Sequence, residues 1–288
     1  MAYDLLISAE QLAKLLADKT PVRIFDCSFD LADAAVGHKQ YLESHIPGAV
    51  YAHLETDLSD KHGTGVSGGR HPLPTREKFA IWLSSVGMAN DMQAVVYDRN
   101  NTNYCGRLWW MLKWTGHAPV AVLDGGLQAW QASGGAATSG QEPAHFQTYF
   151  ALSPEMSKLV ATETVAKNLG RPAQTLIDAR GAPRFRGEVE PLDPVAGHIP
   201  GALNRPFNQN LGADGKFKPA SVLKAELETL LAGRDPASVV HHCGSGVSAV
   251  PNILAMQIAG LGDVSTSGLY AGSWSDWCSD SSRPMAQG

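Results

Sequence analysis

The chain has only four cysteines in 288 residues, at positions 27, 105, 243 and 278. They form no Cys-x-x-Cys pair and show no regular spacing, which argues against a disulfide scaffold and a zinc site. No run reaches the ~18–20 apolar residues of a membrane span. Met1-Ala2-Tyr3-Asp4-Leu5-Leu6 lacks a basic stretch ahead of an apolar one, so no secretory signal is read there. Charge of one sign is also scarce: 23 Lys and Arg against 28 Asp and Glu give a net −5. That balance leaves room for a local basic pocket but not for a nucleic-acid surface or a general affinity for anionic membranes. These absences predict a soluble, reduced, cytoplasmic protein without a metal. In that compartment a free cysteine can work as a thiolate. The remaining composition, 44% apolar and 18% charged, is ordinary for globular chains. The length points to about two domains.

The sequence repeats itself. Ser8–Leu16 echoes Thr162–Leu169. Both read as amphipathic helices, the first with a Ser8/Gln11 capping box and the second capped by Thr162. Val22–Asp26 parallels Thr175–Asp178, a short apolar strand ending in aspartate. His45-Ile-Pro-Gly-Ala49 returns as His198-Ile-Pro-Gly-Ala202, Val95–Asp98 as Val239–His242, and Gly125–Trp130 as Gly272–Trp277. The spacing between the His-Ile-Pro-Gly-Ala pair and the Val95/Val239 pair places extra residues of the first copy in the 55–74 stretch. A loop longer than its twin is more often functional or mobile than core. The reading is two copies of one domain, 1–140 and 155–288, joined through the Gly-, Ser- and Pro-containing stretch 134–154. Within each copy, buried strands such as Val95–Tyr97, Val120–Leu123 and Val239–His241 alternate with helices over 107–114 and 247–259. Pro251 is tolerable only in the first turn of the latter. That alternation predicts an α/β fold with a mainly parallel sheet flanked by helices in each copy, and ligands beyond the carboxyl ends of the strands.

Val239-Val-His-His-Cys243-Gly-Ser-Gly-Val-Ser-Ala249 is the most informative stretch. A buried strand ends at a cysteine, two glycines follow within three residues, and a helix begins. Glycines permit a tight path that curls backbone N–H groups inward, and a helix N-terminus adds unpaired donors. A thiolate at Cys243 would be stabilised there. An ordinary core cysteine has no need of paired glycines. A cysteine phosphatase would need arginine at position 249, where alanine stands. No local motif marks the histidine base of a papain-like hydrolase. His241 and His242 alternate faces along the strand, so they do not ligate one metal with Cys243.

These residues, in this order, resemble the rhodanese-type sulfurtransferases with two tandem domains. The marks are the repeated His-Ile-Pro-Gly-Ala, Arg107-Leu-Trp109-Trp110, Cys243-Gly-Ser-Gly-Val247 and the closing Gly272-Ser-Trp274. The resemblance implies two tandem rhodanese-like domains, the first catalytically silent. The position matching Cys243 falls at Asp98 or Arg99 in the first copy. The neutral loop after Cys243 is similar to that of the 3-mercaptopyruvate sulfurtransferases, where basic residues would suit thiosulfate. By that resemblance Ser245 works with His71 and an acidic residue, Asp60 or Asp57. Arg184 matches one of two carboxylate-binding arginines. The second is expected where Leu192-Asp193 stands, leaving Arg186 or Arg180 as substitutes.

The implied chemistry is a Cys243 persulfide cradled by the backbone of Gly244, Ser245, Gly246, Val247 and Ser248, without metal or organic cofactor. The donor would be 3-mercaptopyruvate or thiosulfate, and the acceptor a thiol such as thioredoxin, or cyanide. A persulfide carrier without turnover is the third reading. His45 and His198 read as turn or packing residues, and Arg107, Trp109 and Trp110 as core. Cys105, followed by a single glycine, reads as structural, as do Cys27 and Cys278.

Overall fold

The computed structural model describes residues 2–63 and 65–288. The chain divides into two units. The first comprises residues up to Asp60, Pro74–Met156 and Ala213–Phe217. The second comprises Lys61–Leu73, Ser157–Gly212 and Lys218–Gly288. Contiguous domains 1–140 and 155–288 are therefore a simplification, because two short segments group with the opposite copy. Much of the stretch read as a linker belongs to the first unit: Thr138 pairs with His45 as an isolated antiparallel bridge, as Ala286 does with His198 in the second unit.

Among its described residues the first unit holds β1 (Leu6–Ile7), β2 (Val22–Asp26), β3 (Val50–Tyr51), β4 (Gln93–Tyr97) and β5 (Val120–Leu123), in the order β1-β5-β4-β2-β3. The second holds β6 (Lys158–Leu159), β7 (Thr175–Asp178), β8 (Leu203–Asn204), β9 (Val239–His242) and β10 (Gly268–Leu269), in the order β6-β10-β9-β7-β8. Every pairing in both sheets is parallel. The central strands β4 and β9 are buried throughout. This is why they read as unbroken apolar runs rather than alternating ones.

The helices are α1 (Ala9–Ala17), α2 (Ala35–Glu43), α3 (Arg76–Ser85), α4 (Cys105–Trp114) and α5 (Gly126–Ala132) in the first unit. In the second they are α6 (Thr162–Lys167), α7 (Ala182–Phe185), α8 (Ala220–Leu231), α9 (Val250–Ile258) and α10 (Ser273–Trp277). Ser8 caps α1 through a reciprocal bond with Gln11, as the sequence predicts. Thr162 does not cap α6. Ala161 occupies that position, and the Thr162 hydroxyl instead donates to Asp276. Helix α9 starts at Val250, three residues later than expected. Pro251 has no N–H to give and fits only the first turn, while Gly246 at φ +73 turns the preceding chain out of helical geometry.

One core cluster includes Tyr97, Leu123, Leu127 and Trp130; its counterpart includes Val240, Tyr270, Trp274 and Trp277. His45 and His198 take matching places. Each Nδ1 meets a backbone oxygen, of Tyr41 at 2.7 Å and of Phe185 at 2.8 Å, and each ring stacks on that residue's ring. Arg107, Trp109 and Trp110 are fully buried.

Candidate active site

Strand register fixes where the cysteine sits. His242 pairs with Asp178 in one sheet and Tyr97 with Asp26 in the other. The next residues, Cys243 and Asp98, are therefore equivalents, which excludes Arg99. Seven residues separate each from the first residue of the helix that follows, Val250 and Cys105.

In the first unit the Asp98 carboxylate fills the turn. It accepts backbone N–H bonds from Asn100, Thr102, Tyr104 and Cys105, at 2.8–2.9 Å. In the second unit the same turn surrounds a thiol. Among the described residues, no backbone oxygen outside helices and strands takes the N–H groups of Gly244, Ser245, Val247, Ser248 or Ala249. The loop is buried apart from partly exposed Ser248, and Cys243 is only 2% exposed. Buried donors without acceptors are costly unless an anion arrives to take them. Gly246 is required twice over: its φ is +73, and a Cβ there would lie 2.3 Å from the Ala271 oxygen.

Behind the loop, the Cys243 N–H donates to Ser273 Oγ at 3.0 Å, and that hydroxyl donates to the Tyr270 oxygen at 2.9 Å. Ser273 holds φ +57, a strained setting for a residue with a side chain. Its counterpart Gly126 adopts φ +60. The second copy therefore tolerates strain to place a hydroxyl under the cysteine. Sequence reading missed Ser273, although its alignment with Gly126 was the available signal.

The Lys61–Leu73 segment packs within the second unit. Arg70 N–H donates to Ser275 Oγ at 3.0 Å, and Gly69 at φ +85 passes so close that a Cβ would meet the Gly272 oxygen at 2.5 Å. This brings His71 Nδ1 to 2.7 Å from Ser245 Oγ, with both side chains buried. Ser245 lies two residues past Cys243, so the same loop carries the thiol and a histidine-bonded hydroxyl.

Two arginines converge on Gly244. A Cβ there would be 3.1 Å from Arg70 Nη2 and 3.6 Å from Arg184 Nη1. Sequence reading identified Arg184 but missed Arg70, whose place depends on how the long loop folds. Arg186 departs from expectation. It is exposed and pairs with Glu188 at 2.7 Å, because residues two apart on a helical turn point ~200° away from each other. Arg180 is also unavailable: its guanidinium is locked bidentate on Asp178 and stacks over Trp274.

Asp60 belongs to the first unit and accepts from Lys78 Nζ at 2.6 Å, while Asp57 accepts the His53 N–H at 2.8 Å. His241 and His242 are buried within β9. Burial pushes the His241 imidazole down to about 3, so it is neutral at neutral pH. Burial, followed by the charges of nearby aspartates, pushes the Cys27 and Cys105 thiols well above their ordinary range; burial also raises Cys278. These three are poor nucleophiles at neutral pH. Among the described residues no group of three or more His, Cys, Asp or Glu side chains is placed to hold a metal ion.

The model of the Rhodanese-like domain matches the chain twice, over residues 8–133 and 161–280. The chain belongs to the rhodanese family. It is 45% identical over 287 residues to a Pseudomonas aeruginosa protein named as a probable 3-mercaptopyruvate sulfurtransferase, covering 98% of both chains. It is 33% identical to the thiosulfate sulfurtransferase of Bos taurus, covering 96% of this chain and 92% of that one. The solved 3-mercaptopyruvate sulfurtransferase from Leishmania major superposes with a TM-score of 0.81 at 31% identity, covering 96% of this chain and 74% of that one. Both copies keep the fold, and the position that Asp98 fills with a carboxylate in the first is taken by the Cys243 thiol in the second.

Proposed function

We propose that this rhodanese is a sulfurtransferase that takes sulfur from 3-mercaptopyruvate onto Cys243 and delivers it to a thiol, such as that of thioredoxin, or to cyanide. The observation that carries this reading is the His71–Ser245 contact at 2.7 Å two residues from a cysteine at the head of a buried strand-to-helix loop.

The Cys243 thiolate attacks the substrate sulfur. A sulfur–sulfur bond forms, the carbon–sulfur bond breaks, and its electron pair passes to the pyruvate enolate. The proton of the substrate thiol moves through Ser245 and His71 to the enolate, giving pyruvate and a Cys243 persulfide anion. The N–H groups of Gly244, Ser245, Gly246, Val247 and Ser248 hold that anion. Arg70 and Arg184 bind the substrate carboxylate and set the sulfur in line. An acceptor thiol then takes the outer sulfur and restores the Cys243 thiolate; cyanide leaves as thiocyanate by the same exchange.

Two guanidiniums beside Gly244 suit a sulfonate as well as a carboxylate, which supports thiosulfate as the second donor. That reaction releases sulfite and needs no proton relay. Among the described residues no helix is long and apolar enough to cross a membrane, and the proposed site of action is the cytoplasm. Parallel assays of pyruvate from 3-mercaptopyruvate and of thiocyanate from thiosulfate plus cyanide test the reading. Faster turnover with 3-mercaptopyruvate supports it. Turnover with thiosulfate alone contradicts it, and loading of Cys243 without turnover identifies a carrier.

A further inference from the structure

Leu192-Asp193 stands where the resemblance leads one to expect a second arginine, yet Asp193 is not simply a gap in the site. Its carboxylate is 3% exposed and lies between two guanidiniums. Arg70 Nη1 donates to Oδ1 at 2.6 Å, and Arg184 Nη2 donates to Oδ2 at 3.1 Å. Each arginine thus spends one nitrogen on Asp193. Arg70 Nη2 is 3.1 Å from where a Gly244 Cβ would lie, and Arg184 Nη1 and Nη2 are 3.6 and 3.7 Å from it. The pair thus converges on the residue next to the cysteine.

The cluster continues inward with alternating sign. Glu190 receives Arg184 at 2.6 Å and Arg180 at 3.3 Å, and its Oε1 also accepts the Asp193 N–H at 3.2 Å. Arg180 rests on Asp178. Arg70, Arg184 and Arg180 are therefore matched by Asp193, Glu190 and Asp178. The cluster offers directional donors with no surplus positive charge. Such a site rewards the shape of an anion more than its charge. An arginine at 193 would change the balance by two charges and favour a dianion.

We propose that Asp193 determines donor choice, aligning Arg70 and Arg184 while cancelling their charge, so that the site beside Cys243 takes a monoanionic 2-oxo carboxylate in preference to dianionic thiosulfate. This rests on the sulfurtransferase reading above. Asp193 is a positioning and specificity residue and does not touch the transferred sulfur.

The test compares kcat/KM for 3-mercaptopyruvate and for thiosulfate in the wild type, Asp193→Asn and Asp193→Glu. Asp193→Asn removes one negative charge and keeps the side-chain shape. It should shift the ratio of the two kcat/KM values toward thiosulfate by roughly tenfold, because a dianion gains twice what a monoanion gains. Asp193→Glu retains the charge and should keep the wild-type ratio within about threefold. Equal changes with both donors in Asp193→Asn overturn the proposal. A second measurement needs no variant and no turnover: protection of wild-type Cys243 from iodoacetamide by pyruvate or by sulfate. Protection by pyruvate at the lower concentration supports charge cancellation, and the reverse order refutes it. If the wild type transfers sulfur from neither donor, the functional reading fails, while the order of protection, repeated in Asp193→Asn, still decides the role of Asp193: a reversal toward sulfate supports it and an unchanged order refutes it.

Discussion

Asp98 and Cys243 end equivalent strands, and each is followed seven residues later by a helix, yet their turns hold opposite contents. Around Asp98, four N–H groups converge on a carboxylate that the chain supplies itself. Around Cys243, the corresponding N–H groups of Ser245, Val247 and Ala249 are left for charge that chemistry brings, while that of Val250 turns back to the Val247 oxygen. The first turn therefore shows what the architecture favours: a buried negative group at that point. Supporting residues are exchanged in the same way. Asn101 at φ +62 stands where the second copy has Gly246, and Gly126 stands where it has Ser273. The first copy carries two left-handed residues in its turn, Asn101 and Thr102 at φ +62, where the second carries only Gly246 and places a strained Ser273 beneath it.

The comparison predicts its own disruptions. The largest effect comes from giving the second turn the content of the first. Cys243→Asp should abolish sulfur transfer while leaving a folded protein whose thermal midpoint is no lower than that of the wild type, since the carboxylate would take the free donors. A fall in midpoint would break the equivalence of the two turns. His71→Ala should lower kcat/KM for 3-mercaptopyruvate by about a hundredfold and for thiosulfate by much less, because only the first donor needs the proton relay. Equal losses would remove His71 and Ser245 from the relay. Asp98→Asn leaves buried N–H groups facing an amide in place of a carboxylate, and should cost roughly 2–3 kcal/mol in denaturant titrations. Ser273→Gly trades the hydroxyl beneath Cys243 for a relaxed backbone, so activity should fall severalfold with stability changed by no more than about 1 kcal/mol.

The smallest effect concerns β9, where His241 stands against Val96 in the first copy. The folded His241 imidazole is held near 3 by burial, whereas an exposed one titrates near 6.5. Between these values the unfolded chain binds a proton that the folded chain does not. Stability from this group is complete above ~6.5 and declines as pH falls toward 3. His241→Val should flatten the acid side of the stability curve by up to about 1.4 kcal/mol per pH unit in that window. An unchanged slope would show that His241 titrates alike in both states.

Much of this was legible in the sequence, for reasons that also explain the misses. Parallel strands buried on both faces leave unbroken runs such as Val95–Tyr97, so the sheets and the duplication could be read directly. Cys243 announced itself through the glycines that its turn requires. His71 and Ser245 came from the family resemblance, and the fold of the 61–73 segment brings them together. Arg70 was not legible, because its position depends on a loop path that no local pattern encodes, whereas Ser273 left a signal in its alignment with Gly126 that went unread. Arg186 was misjudged because nearness to Arg184 along the chain says nothing about direction on a helical turn. Thr162 sat at a plausible cap, but the Asp276 carboxylate took its hydroxyl.

The account turns on a single buried sulfur receiving a second one. Native protein treated with 3-mercaptopyruvate, trapped with an alkylating agent and mapped by mass spectrometry should carry one added sulfur atom, on Cys243, with Cys27, Cys105 and Cys278 unmodified. An unmodified Cys243, or sulfur found on any of the other three, would contradict the account.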